Sequence, residues 1–349
     1  MSKKTIILLI VILAVVVGFG FFRIFRDIRI SGPAESAVLK EPKTIGSILI
    51  RQQLQTVEGV KRGLKDLGYK RISYKEELFT LGPTAQADAQ AAVRKMIAEG
   101  VDLLFIPSEI TAKDIRLVMQ ELKSDIPVVF LAQFHDPVSY GIVQSFQSSG
   151  NNLTGIASQL TDVIGKQLEF IKKINPAGKK IGVFSDGFMI PNVGEEMYAQ
   201  LKALAPKLGF QLVEYKTTTA PPGAESAWRK IASGIKAGDI DAIYHIPGHF
   251  FDAQETSEAE LANRLGVPHV APIEDLPTGG HFAYSSDYFT AGKQMARLVD
   301  KIFKGEKPTD IPIEFTQKNS LILHIGRADK DGLTFPESML SIADEKIGK

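Results

Sequence analysis

Val101-Asp102-Leu-Leu-Phe-Ile-Pro107 and Ile240-Asp241-Ala-Ile-Tyr-His-Ile-Pro247 are two versions of one phrase. Lys43-Thr-Ile-Gly46 and Leu67-Gly68-Tyr69 precede the first copy, and Ile126-Pro127-Val-Val129 follows it. Lys179-Lys-Ile-Gly182, Leu208-Gly209-Phe210 and Val267-Pro268-His-Val270 stand in the same places around the second. Gly46 precedes Asp102 by 56 residues and Gly182 precedes Asp241 by 59, so the register is kept. Such a repeat implies two similar α/β lobes facing a shared cleft, and the cleft is where function is to be sought.

The pattern within each copy alternates strand and helix. In the first, Ile45–Ile50 reads as a buried strand, and Val57, Val60, Leu64 and Leu67 follow at helical spacing until Gly68 stops the helix. A strand from Arg71 to Glu77, a helix from Pro83 to Gly100, the strand Leu103–Ile106, a helix over Thr111–Leu122 and the strand Val128–Leu131 complete the unit. The second copy repeats the series from Ile181–Phe184 to His269–Ala271, and Gly155–Ile174 reads as a helix between the lobes. A strand at Phe282–Tyr284 and a capped helix from Ser286-Asp287 follow. Alternation of this kind predicts doubly wound parallel sheets covered on both faces, joined by a chain that recrosses the hinge.

The 349 residues, 44% hydrophobic, suffice for two cores of ordinary size. Lys and Arg number 41 against 40 for Asp and Glu, which gives no field favouring nucleic acid. The absence of cysteine excludes a disulfide, a thiolate metal site, a Cys nucleophile and a lipidated amino-terminal Cys. Lys3 and Lys4 precede an uncharged run from Thr5 to Phe22, followed by Arg23, Arg26 and Arg29. Eighteen residues rise about 27 Å as a helix, the short end for crossing a bilayer. No small-residue cleavage site follows, so an uncleaved anchor is expected ahead of a cleaved signal peptide. Residues 1–43 are thus an anchor or signal segment with a tether. Residues 44–154 with 280–310 are expected to form the first lobe, and 155–279 with 311–349 the second.

His135-Asp-Pro-Val-Ser-Tyr-Gly-Ile-Val-Gln-Ser-Phe-Gln-Ser-Ser-Gly-Asn-Asn-Leu-Thr-Gly155 resembles a segment of the ABC transporter substrate-binding proteins of the tryptophan/phenylalanine-binding type, which have the type I periplasmic-binding-protein fold. The resemblance runs on through Lys304-Gly-Glu-Lys-Pro-Thr-Asp-Ile-Pro312 and Gly332-Leu-Thr-Phe-Pro-Glu-Ser-Met-Leu340, spanning about Thr44 to Ile347. The chain departs from the family at Ser149, where a proline is usual, and in the polar Arg51-Gln-Gln-Leu-Gln55, which lines the ligand site in relatives. The resemblance implies an extracytoplasmic receptor, tethered to the membrane, that captures a small ligand such as an amino acid or another small carboxylate. It would present that ligand to a permease with a cytoplasmic ATPase.

In parallel α/β sheets ligands sit beyond the carboxyl ends of strands, where helix amino termini offer N–H groups. Arg51 and Gln52 follow the first strand; the arginine either pairs with a carboxylate or is solvated. Ser108 and Thr111 bind an anion or only cap a helix. Gln133 and Asp136 follow the fourth strand, where the carboxylate meets a ligand ammonium or merely forms an Asp-Pro turn. From the second lobe come Asp186, Phe188, His249, Phe250 and Glu274, with a phenylalanine available to stack on an apolar ligand.

Catalytic alternatives find no support in the motifs. The six histidines lack H-E-x-x-H or similar spacing, and neither a Walker loop nor a G-x-S-x-G elbow is present. No cofactor, metal or catalytic residue is therefore assigned. A ligand-sensing subunit that signals to a membrane receptor, and a two-lobe enzyme resembling glycosyltransferases, stand as alternatives to transport.

Overall fold

The computed structural model describes residues 42–80, 84–186, 193–219, 223–246, 251–273 and 276–348. The amino-terminal hydrophobic run lies outside them. Among the described residues no helix is long and apolar enough to cross a membrane.

The first copy of the repeat folds as β1 (Lys43–Leu49), α1 (Leu54–Asp66), β2 (Ile72–Leu78), α2 (Ala85–Ala98), β3 (Leu103–Ile106), α3 (Glu109–Glu121) and β4 (Val128–Ala132). The second folds as β6 (Lys180–Asp186), α5 (Val193–Leu204), β7 (Gln211–Thr217), α6 (Ala224–Gly234), β8 (Ala242–His245), α7 (Phe251–Leu265) and β9 (His269–Val270). Between them lie β5 (Leu153–Ala157) and α4 (Leu160–Ile174). After them come β10 (Phe282–Ser286), α8 (Tyr288–Phe303), β11 (Glu314–Phe315), β12 (Asn319–His324), α9 (Ile325–Lys330), α10 (Glu337–Leu340) and β13 (Glu345–Ile347).

Two sheets result, with strand orders β11-β5-β4-β3-β1-β2 and β13-β12-β10-β9-β8-β6-β7. Every pairing in the first is parallel. In the second, β12 runs antiparallel to β10. Strand side chains alternate between two cores, as a doubly covered sheet requires. Ile48, Leu104, Ile106 and Phe130 pack with Val93, Met96 and Ile115 on one face of the first sheet. Ile45, Leu49, Leu103 and Phe105 pack with Val57, Leu64, Met295 and Leu298 on the other.

The repeated aspartates explain why the repeat is legible. Asp102 Oδ2 accepts the Thr44 N–H at 2.7 Å, and Asp241 Oδ2 accepts those of Lys179 and Lys180 at 2.8 and 2.9 Å. In each lobe the loop entering the third strand thereby ties down the start of the first. Gly68 and Gly209 hold the matching helix exits at φ of +92° and +78°, where a side chain would be strained.

The lobe boundaries move from those expected. Gly155–Ala157, expected to open a helix, instead belong to the strand Leu153–Ala157 that pairs with β4, and the helix starts at Leu160. Gly155 is pressed against the Phe130 carbonyl, with only 2.0 Å left for a Cβ. Five consecutive buried residues carry no period that separates strand from helix. Phe282–Ser286, expected in the first lobe, pairs with β9 and β12 in the second sheet. Conversely Ile311 and Ile313, expected in the second lobe, enter first-lobe cores, and β11 pairs with β5. The chain therefore passes between sheets near Ser158, Asp287 and Thr316.

Those three passages meet in a polar knot. Ser286 Oγ, in a residue only 2% exposed, lies 2.9 Å from Ser158 Oγ and 3.2 Å from Thr316 Oγ1, and donates to Asn319 Oδ1 at 3.3 Å. Asp287 caps α8 by accepting the Thr290 N–H at 2.8 Å and pairs with Lys318 at 3.4 Å. The Asp287 N–H donates to the Lys318 carbonyl at 3.0 Å, which joins the second and third passages.

Candidate functional site

The carboxyl ends of β1, β3 and β4 lie side by side because these strands are neighbours. After β1 the chain turns at once, with Gln53 Oε1 accepting the Ile50 N–H at 3.1 Å, and Arg51 and Gln52 are left exposed. After β3, Ser108 takes an extended conformation and its Oγ accepts the Thr111 N–H at 3.2 Å as the cap of α3. Ser108 and Thr111 are buried, at 8% and 5% exposure. The structure thus brings Arg51, Gln52, Ser108, Thr111 and Gln133 to one edge. Asp136 stands apart: it is exposed, and its Oδ1 accepts the N–H groups of Val138 and Ser139 in a turn at 2.9 and 2.8 Å.

That edge faces the second lobe. Ile110, in the first turn of α3, and Phe134, just past β4, pack against a core formed by second-lobe residues including Ile164, Val183, Tyr244 and Ile246. Asp186 ends β6 on the opposing sheet. Phe188, His249, Phe250 and Glu274 lie outside the described residues.

Glu109 carries no motif, and sequence reasoning passed over it. It is 1% exposed, and its Oε2 accepts the Gln133 N–H at 2.9 Å. Its Oε1 accepts the N–H groups of Phe134 and His135 at 3.0 and 3.1 Å and stands 2.9 Å from His135 Nδ1. A buried carboxylate is tolerated where donors replace its water, as these four do. The His135 ring stacks on Tyr140 at 4.2 Å, and Lys113 Nζ lies 3.9 Å from the centre of the Tyr140 ring. A glutamate one residue beyond a helix cap was the available signal.

The second lobe holds a buried cluster that the spacing of the histidines did not reveal. His245 Nδ1 and His269 Nε2 each lie 2.9 Å from Glu258 Oε2, and all three residues are buried. Burial would raise the Glu258 carboxyl, but His245 and the hydrogen bonds from both rings outweigh it and hold the pKa at about 2. The set could hold a metal by composition. Its hydrogen bonds argue otherwise, because the Gly280 N–H donates to His269 Nδ1 at 3.1 Å. The ring proton is thereby placed on Nε2, which donates it to Glu258 rather than offering a lone pair. The pattern continues: the His269 N–H donates to His281 Nδ1 at 3.0 Å, and His281 Nε2 donates to Asp331 at 3.0 Å. The cluster reads as a hydrogen-bonded brace linking β8, α7, β9 and the turn after α9.

Comparison with known proteins places this geometry. The family model described as ABC transporter substrate binding protein matches residues 51–347. A tyrosine-binding protein of Clostridioides difficile (strain R20291) is 25% identical over 269 residues, covering 76% of this chain and 73% of that protein. The ABC domain from Streptococcus pneumonia in complex with L-Trp superposes with a TM-score of 0.73 at 20% identity, covering 88% of this chain and 100% of that one. A ligand-free, open substrate-binding protein with adhesive properties from Clostridium difficile gives 0.68 at 21% identity, with the same coverage. These two structures share the two-lobe fold.

Proposed function

Because the chain belongs to the family of ABC transporter substrate-binding proteins, we propose that it captures an amino acid or another small carboxylate between its lobes and delivers it to a permease and its ATPase. The observation that carries this reading is the meeting of the carboxyl edge of the first sheet with the second lobe through Ile110 and Phe134. A ligand held there touches both lobes, and only such contacts favour the closed form over the open one. The choice of an amino acid is supported by the tyrosine-binding relative and by the L-Trp complex.

In this reading Arg51 supplies a guanidinium for the carboxylate, and Ser108 and Thr111 offer their hydroxyls beside it at the amino terminus of α3. Gln133 contributes from the β4 exit, and Asp186, Phe188, His249, Phe250 and Glu274 from the opposing lobe. The amino-terminal hydrophobic segment tethers the receptor outside the cytoplasm.

Thermal unfolding of the chain from Thr44 onward, with each of the twenty amino acids and a set of small carboxylates, tests the proposal. A ligand at a hundredfold excess over its Kd stabilises the protein by about 2.7 kcal/mol. Absence of stabilisation by any of these compounds would overturn the proposed ligand class.

A further inference from the structure

Glu109 is a buried carboxylate whose two oxygens face four donors of the β4 exit. Its Oε1 accepts the N–H groups of Phe134 and His135 and its Oε2 that of Gln133, so the carboxylate grips the whole exit of β4. Phe134 lies inside that grip, and Ile110 is the residue after Glu109. Among the described residues these are the two first-lobe side chains that pack against the second lobe's core cluster. From behind, the stacked rings of His135 and Tyr140 stiffen the same loop.

We propose that Glu109 is a positioning residue that fixes Phe134 beside Ile110, and that these two side chains form an apolar latch setting how much of the ligand-free protein is closed. The proposal rests on the reading of the chain as a hinged clamp. Burying either side chain against the opposite lobe favours closure without ligand, and the apparent affinity scales with the fraction already competent to bind. Specific geometry matters because a phenylalanine on an unsecured loop would lose part of this gain to the ordering of the loop.

The absence of native cysteine permits a direct test in the full chain. Gln120, exposed on α3, and Ala203, exposed on α5, are replaced by cysteine and spin-labelled, and the inter-lobe distance distribution is measured by pulsed electron resonance without ligand. Phe134→Ala and Ile110→Ala should each deplete the short-distance population, about tenfold for Phe134→Ala. Glu109→Gln should deplete it too, although both latch side chains remain. Added to Phe134→Ala, Glu109→Gln should cause no further change, whereas a merely structural role would give independent effects.

If Phe134→Ala leaves the distribution unchanged, the latch is wrong. If only Glu109→Gln leaves it unchanged, or its effect adds to that of Phe134→Ala, the positioning role is wrong. Should Glu109→Gln not unfold cooperatively, Glu109→Asp replaces it with the same outcomes, since it withdraws the charge from the three N–H groups by one methylene. The measurement uses no ligand, so its failure would leave the thermal test of the binding reading standing.

Discussion

The hydroxyl of Ser286 lies 2.9 Å from that of Ser158, which joins the first and second passages of the chain between the lobes. Thr316 and Asn319 bring the third passage to the same oxygen. Short polar contacts hold the passages together without filling the hinge with bulky side chains. Ser286→Ala should cost about 1–2 kcal/mol, because buried partners lose a hydrogen bond. At ~2–4 °C per kcal/mol the melting temperature should fall by roughly 2–8 °C. Calorimetry of Ser158→Ala, Ser286→Ala and the double variant checks the link, since a shared contact makes their costs less than additive.

The helices α1 and α8 pack backbone to backbone. A Cβ on Gly292 would stand 2.1 Å from the Thr56 carbonyl, and one on Gly59 would stand 2.2 Å from that of Phe289. Gly292→Ala should therefore force the helices apart and cost about 1–3 kcal/mol. A Cβ on Gly165, inside α4, would meet nothing within 4 Å beyond its own helix. Gly165→Ala should instead stabilise by about 0.5–1 kcal/mol through helix propensity. Denaturant midpoints that moved in the same direction for both would refute this account.

Acid should weaken the buried brace of the second lobe. Burial and then the neighbouring His269 push the His281 pKa down to about 4, against the opposing hydrogen bond to Asp331. The unfolded ring titrates near 6.5, so between about 6.5 and 4 the unfolded chain binds a proton that the native ring refuses. Stability is then complete above that window and falls through it as pH drops, by on the order of 3 kcal/mol. Glu258, held at about 2, loses stability further as pH falls from its ordinary value near 4.5. Melting temperatures from pH 7 to pH 4 should decline in the native chain, with a shallower decline in His281→Gln. Equal slopes would contradict the assignment.

Capping and ligand contact separate cleanly at the cleft edge. Ser108→Ala removes the cap of α3 and should cost about 1 kcal/mol of stability in the ligand-free protein. Arg51 is exposed and sits in a short turn, so Arg51→Ala should leave stability within about 0.5 kcal/mol. If it pairs with the ligand carboxylate, the same change should lower affinity at least tenfold by calorimetric titration. An unchanged affinity would remove Arg51 from the site.

The doubled phrase around Asp102 and Asp241 was readable in the chain because each copy performs the same local task. Buried strands need continuous apolar runs, helix exits need glycine, and one aspartate ties two loops within each lobe. The family resemblance was equally legible from the segment between His135 and Gly155. Placement of Leu153–Ala157, Phe282–Ser286 and Glu314–Phe315 was not, because a short strand carries no signal that says which sheet it joins.

The role of Glu109 was hidden for a similar reason. Its four donors come from residues more than twenty positions away, and its burial follows only when α3 and the β4 exit pack together. The brace of His245, Glu258, His269, His281 and Asp331 likewise has no local period. Sequence by itself determined two parallel α/β lobes and where their strand ends fall, since periodicity and turn chemistry act over neighbouring residues. Tertiary structure alone decided which strands share a sheet, where the hinge crosses and which buried charges are satisfied, because those depend on partners that only folding brings within hydrogen-bond distance.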